Sequence, residues 1–100
     1  MKRKVEVSDL AISNIIEAYD WYESQRPGLG VELLKEWETA TEYLSENAGN
    51  YQVKHHGFRH LMLKRFPYLI IYEIENEQLV VVFNIIHAQR NPIRRYKKKK

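Results

Sequence analysis

Apolar and polar residues alternate weakly over Lys4 to Val7, which predicts a short first strand. From Ser8 the period changes to that of a helix. Ile12, Ile15, Ile16, Tyr19 and Tyr22 recur at helical spacing and define one apolar face over about residues 9 to 25. Ser8 is a suitable N-cap, and Asp9 sits in the first turn, where the helix dipole favours an acid. RPGLG, residues 26 to 30, interrupts the pattern with a proline and two glycines and reads as an interhelical turn. A second helical period follows in Leu33, Leu34, Trp37, Ala40, Thr41 and Leu44, running to about Glu46, and Asn47-Ala48-Gly49-Asn50 supplies the stop. A link this short predicts an antiparallel helical hairpin.

After Tyr51 the period falls to two. Arg59 to Phe66 alternates, with Leu61 and Leu63 on one face and His60, Met62 and Lys64 on the other. Pro67 makes a tight connection to a β-branched and aromatic strand, Tyr68 to Glu75. Asn76-Glu77 forms a hairpin turn before Leu79 to His87, and Val80 to Phe83, apolar on both faces, predicts a central, covered strand. The expected fold is α+β in the order β-α-α-β-β-β. The two-helix hairpin packs on one face of a mostly antiparallel four-stranded sheet. The other sheet face would then carry Arg59 or His60, Lys64 or Arg65, and the C-terminal basic residues. The pattern leaves open which neighbour the first strand pairs with.

Charge changes this picture most. The net charge of +3 conceals a separation along the chain: all 13 acids lie between Val5 and Gln89, against six basic residues, whereas Lys2 to Lys4 and the seven basic residues from Arg90 onward have no acid among them. Such separation steers a polyanion or an acidic surface towards one side of the molecule. At 100 residues and 44% apolar, the chain is expected to form one domain over residues 1–96, with 97–100 a basic disordered tail. There is no cysteine, so disulfides, thiolate chemistry and cysteine zinc sites are excluded; this fits a reducing cytoplasm. No apolar run approaches the roughly 20 residues of a membrane helix, and no apolar core follows the basic start, so neither a membrane partner nor a secretory signal is expected.

Candidate chemistry is sparse. His55, His56 and His60 lie close together, but adjacent strand histidines point to opposite faces, and no acid lies between Asn47 and Tyr72 to complete a ligand set. No metal site or cofactor is therefore assigned. Gly28 and Gly30 precede a helix without the lysine or the preceding strand of a phosphate loop. The helix acids read as solvated outer faces. Arg59, Lys64, Arg65, Arg90, Arg94 and Arg95 have the charge to neutralise phosphates, and Tyr68, Tyr72 or Tyr96 the rings to stack on bases. The same cations would equally solubilise a sheet face or bind an acidic protein.

Two stretches carry a family resemblance. WYESQRPGLGVELLKEWETATEYL resembles the helical hairpin of the RelE/ParE superfamily of type II toxin–antitoxin toxins. RHLMLKRFPYLIIYEIENEQLVVVFNIIHAQRNP resembles its sheet, with an arginine-bearing strand, a Phe-Pro-Tyr turn and a closing His-x-x-Arg-x-Pro. The resemblance runs from about Val5 to Tyr96. It implies a bacterial toxin of a plasmid-stabilisation module, neutralised by a cognate antitoxin that covers apolar surface beside the hairpin and sheet edge. RelE-like members cut messenger RNA on the ribosome with strand lysines and a C-terminal arginine–tyrosine pair. If this chain were such a ribonuclease, His60, Lys64, Arg90 and Tyr96 would be its catalytic candidates. Arg90 and Tyr96 match that pair, but His60 and Met62 stand where lysines are expected, and Tyr68-Leu69 where tyrosine-arginine is expected. The hairpin turn and the closing motif are nearer the ParE-like branch, which implies DNA gyrase as the target and no enzyme activity. The expected target-binding residues are Arg59, Lys64, Arg65, Arg90, Arg94, Arg95 and Tyr96, with Tyr96 as an anchor. The alternatives are the ribosome-dependent endoribonuclease and a non-toxic basic RNA-binding module.

Overall fold

A computed structural model describes residues 2–89. Strand β1 (Lys4–Val7) leads into helices α1 (Asp9–Gln25) and α2 (Leu29–Asn47). A 3-10 turn over Ala48–Asn50 then precedes β2 (Val53–His55), β3 (Phe58–Met62), β4 (Tyr68–Asn76) and β5 (Leu79–His87). The strands form one sheet in the order β1-β5-β4-β3-β2. All neighbours are antiparallel except β1, which lies parallel to β5 with Val5 opposite Val80. The expected α+β architecture is found, β5 is an interior strand between β1 and the central β4, and the open question of β1 is resolved beside β5.

Three features differ from the sequence expectation. First, the sheet has a fifth strand, β2, whose last residue pairs with Phe58 across the two-residue turn His56-Gly57. Both turn residues have positive φ, 52° and 82°, the geometry of a tight hairpin turn. Second, β3 stops at Met62 rather than running to Phe66, because residues 63–67 bend towards α2. Third, α2 begins at Leu29, so Gly30 lies in its first turn and not in the link. Gly28, at φ 92°, makes the left-handed step between the helices. The Glu23 carboxylate accepts hydrogen bonds from the Gly28 and Val31 amides, both 3.2 Å, which caps the start of α2. Those amides, Gly28 first, hold the Glu23 carboxyl below its ordinary pKa despite some opposing desolvation.

The hairpin covers one face of the sheet. Ile15, Ala18, Leu33, Trp37 and Leu44 pack against Leu61, Ile70, Tyr72, Val80 and Ile85. Val82 and Ile85 both join this core although they are three residues apart, because a bulge between β4 and β5 shifts the alternation there. Ser8 ties α1 to β5: its Oγ accepts from the Ala11 amide (3.0 Å) and donates to the Phe83 carbonyl (2.6 Å). Tyr72 is fully buried, and its hydroxyl donates to the Ala48 carbonyl at 2.7 Å. Burial pushes its phenol well above the ordinary value, so it remains a donor across the physiological range.

Candidate functional site

Helix α2 has two working flanks. Leu33, Trp37, Ala40 and Leu44 face the sheet, while Glu32, Glu36, Thr39 and Tyr43 recur on the side that meets β3 and residues 63–65. A groove of about 630 Å³ opens between them. Ala40, Leu61 and Leu63, all buried, supply its apolar base. Tyr43 and Tyr51 form its walls, the end of β3 at Met62 borders it, and Lys35, Lys64 and Arg65 bring positive charge to its edge. Tyr43 and Met62 are 43% and 52% exposed, far more than a core position requires. Apolar surface rimmed by charge is the usual character of a protein-docking site.

The acids of that flank secure the groove's lower end. The Glu36 carboxylate accepts hydrogen bonds from the successive amides of Lys64 and Arg65. Glu32 pairs with the Arg65 guanidinium, and Arg26 approaches the same carboxylate at 3.7 Å. The bond from Arg65, more than its charge, holds the Glu32 carboxyl below its usual range. The loop continues through Phe66, which packs edge-on to Tyr22 at 5.0 Å. The Pro67 carbonyl then accepts from the Ala88 amide at 2.7 Å. Tyr68 meets His87 edge-on at 5.4 Å. The point where the chain leaves β5 is therefore tied to the same loop that closes the groove.

These contacts redistribute the sequence candidates. Antiparallel partners share a sheet face, and Arg59 lies opposite Tyr72. Arg59 is thus on the helix side, half-buried, donating to the Tyr51 carbonyl at 2.5 Å. His60, opposite Ile71, and Met62, opposite Leu69, are on the other face. Strand alternation does not extend to Lys64 and Arg65, because β3 has already ended. Arg65 turns to the α2 acids. Of the expected pair Arg59 or His60, the outer sheet face thus carries His60, while Lys64 and Arg65 lie in the loop beyond β3 and not on the strand. Arg90, Arg94, Arg95 and Tyr96 lie outside the described residues. Glu32, Glu36 and Tyr43 were legible only as parts of an amphipathic helix; their spacing of four and then seven marked one flank but not its contact.

A helical hairpin on a mixed sheet, with an apolar groove at their junction, defines the class as a small two-layer α+β protein with a surface suited to a protein partner. The family model described as "ParE toxin of type II toxin-antitoxin system, parDE" matches residues 5–92, and the chain belongs to that family. A solved structure titled "Chromosomal ParDE TA system from P. aeruginosa" is similar in fold, with a TM-score of 0.79 at 15% identity over 88% of this chain and 98% of that one. Among curated protein sequences none matches. No helix among the described residues is long and apolar enough to cross a membrane.

Proposed function

We propose that this ParE-family toxin inhibits DNA gyrase in the bacterial cytoplasm and is neutralised by a cognate antitoxin seated in the groove between α2 and β3. The observation that carries the choice of target is the outer face of β3. It presents His60 and Met62 where a RelE-like ribonuclease needs lysines, and Met62 is 52% exposed. Removing a charge that stabilises a transition state typically costs about 10²-fold or more in rate, so this strand is poorly equipped for RNA cleavage. Under this reading Arg90, Arg94, Arg95 and Tyr96 contact gyrase, with Tyr96 as an anchor. Lys64 assists from the loop that holds Ala88. Arg59 and Arg65 have partners within the fold and contribute positive potential.

The antitoxin segment that fits the groove carries apolar anchors for Leu61, Tyr43 and Tyr51 and acids for Lys35 and Lys64. The test is a supercoiling assay with purified gyrase, run beside programmed ribosomes whose message is mapped for new 5′ ends. Loss of supercoiling with intact message is the expected result. Arg90→Ala or Tyr96→Ala should restore supercoiling, and added antitoxin should do the same. Cleavage in the ribosomal A site with unaffected gyrase would replace this reading by the ribonuclease.

A further inference from the structure

Helix α1 has an exposed surface of opposite chemistry to the groove. Ile12 and Ile16, one turn apart, are 44% and 53% exposed. Their azimuth on the helix is shared by Tyr19 and Glu23, which both touch the start of α2. The two isoleucines therefore lie on the outward flank of α1 that leans towards its partner helix. The sheet-facing residues of α1, among them Ala11, Ile15 and Ala18, already supply its buried stripe, so the fold does not require Ile12 or Ile16 to be apolar. Around them Asp9, Glu17 and Asp20 are exposed, and α1 contains no lysine or arginine. Among the described residues none of these three acids takes part in an ion pair. A lone exposed isoleucine is unremarkable, but a pair in successive turns inside an unpaired acidic field has the composition of an interface.

We infer that this face of α1 docks a cationic amphipathic helix of a partner protein, with apolar residues seated between Ile12 and Ile16 and lysine or arginine set against Asp9, Glu17 and Asp20. Charge decides the occupant. A second copy of this chain would bring the same acids face to face, which is repulsive, whereas a basic helix is attracted and oriented by them. The surface is distinct from the groove, whose free charges are positive, so one partner can occupy both only with two segments of opposite charge. The inference does not depend on gyrase being the target.

The probe is a synthetic amphipathic peptide with leucines on one face and lysines flanking them, compared with a twin carrying glutamates instead. Both are titrated into the full chain while backbone amide shifts are followed. The lysine peptide should perturb residues 9–20, bind more weakly as salt is raised, and lose about tenfold in affinity in the Ile12→Ser/Ile16→Ser variant, near 1.4 kcal/mol. Thermal unfolding of that variant verifies its fold. Four results would overturn the inference. The first two are equal binding of the two peptides and shifts that fall on Leu61 to Arg65 instead. Isoleucine-dependent self-association in sedimentation would make the occupant a second copy. A shift of the α1 amides on deleting Lys97 to Lys100 would make it the chain's own lysine run.

Discussion

The groove side of α2 and the outer face of α1 are both amphipathic helix surfaces of one hairpin, yet they use their acids in opposite ways. On α2, Glu32 and Glu36 are engaged by the Arg65 guanidinium and by the amides of residues 64 and 65. The charge left for a partner there is positive, from Lys35 and Lys64. On α1, Asp9, Glu17 and Asp20 have no such engagement among the described residues, and the surface there is acidic around two exposed isoleucines. Acidic helix composition therefore does not imply an acidic docking surface. What matters is whether the neighbouring loop consumes the charge, as the loop after β3 does when it reaches back to α2.

Substitution at the groove base should have the largest effect. Leu61 is 6% exposed and faces Ile70 inside the core. Leu61→Ala should lower stability by about 2–5 kcal/mol, measured by urea unfolding. Its strand neighbour Met62, half-exposed, should tolerate alanine within about 0.5 kcal/mol. Equal costs at the two positions would mean that the groove border at Met62 is core. The next effect belongs to Gly30, which sets how closely the two helices approach. A Cβ there would lie 2.6 Å from the Tyr19 carbonyl oxygen and 2.6 Å from Glu23 Cγ. Alanine gains roughly 1 kcal/mol of helix propensity over glycine, but a clash with backbone cannot be relieved by a side-chain rotation. Gly30→Ala should therefore be net destabilising by about 1–3 kcal/mol. It should also perturb both surfaces at once, because it moves α1 relative to α2. A stabilised variant would show that the helices separate easily and that the two surfaces are independent.

The sheet and the hairpin were readable because periodicity reports which residues must leave water. Ile15, Leu33, Trp37 and Leu44 fell on predicted faces, and the Ser8 cap was legible from residue type alone, but Ile12 and Ile16, read on one face with Ile15, are exposed because the buried stripe runs through Ala11, Ile15 and Ala18. What escaped was set by contacts between distant residues. β2 is three residues long, too short for alternation to register; its signal was His56-Gly57, a hairpin dipeptide with histidine in the place usual for asparagine. Glu36 and the amides of residues 64 and 65 are 28 and 29 positions apart, and nothing local marks a carboxylate destined for a backbone amide. For the same reason Arg59 could not be assigned to a face until its pairing with Tyr72 was known.

A smaller effect should appear with pH. The Arg65 bond lowers the Glu32 carboxyl in the folded chain, and the Gly28 amide lowers Glu23. A carboxyl whose folded pKa is depressed adds stability above its unfolded value, about 4.3 for glutamate. That contribution is lost as pH falls through the lower folded value. Acid melts followed from neutral pH downward should therefore show part of the loss beginning near that unfolded value. Glu32→Gln should flatten this part, with Arg65→Gln having the same effect. Because Glu32 is solvent-facing, added salt should shrink the difference. A Glu32→Gln protein with an unchanged acid profile would mean that the pair does not persist in solution, and that Arg65 is as available to partners as Lys64.

The smallest change in stability is expected at the α1 face, and its smallness is what makes it informative. Ile12 and Ile16 contribute little to the core, and serine has nearly the helix propensity of isoleucine. Ile12→Ser/Ile16→Ser should therefore leave the unfolding midpoint within the span of ordinary surface substitutions, about 0.5 kcal/mol per site. Leu61→Ala removes comparable apolar volume yet falls outside that span, because its side chain has a packed cavity to leave behind. If the isoleucine variant instead loses as much as Leu61→Ala, the two residues belong to the core, and α1 has no outer docking face. If it unfolds like the parent chain while losing a partner, apolar exposure at this face serves recognition, and the contrast between the two helices is one of function as well as charge.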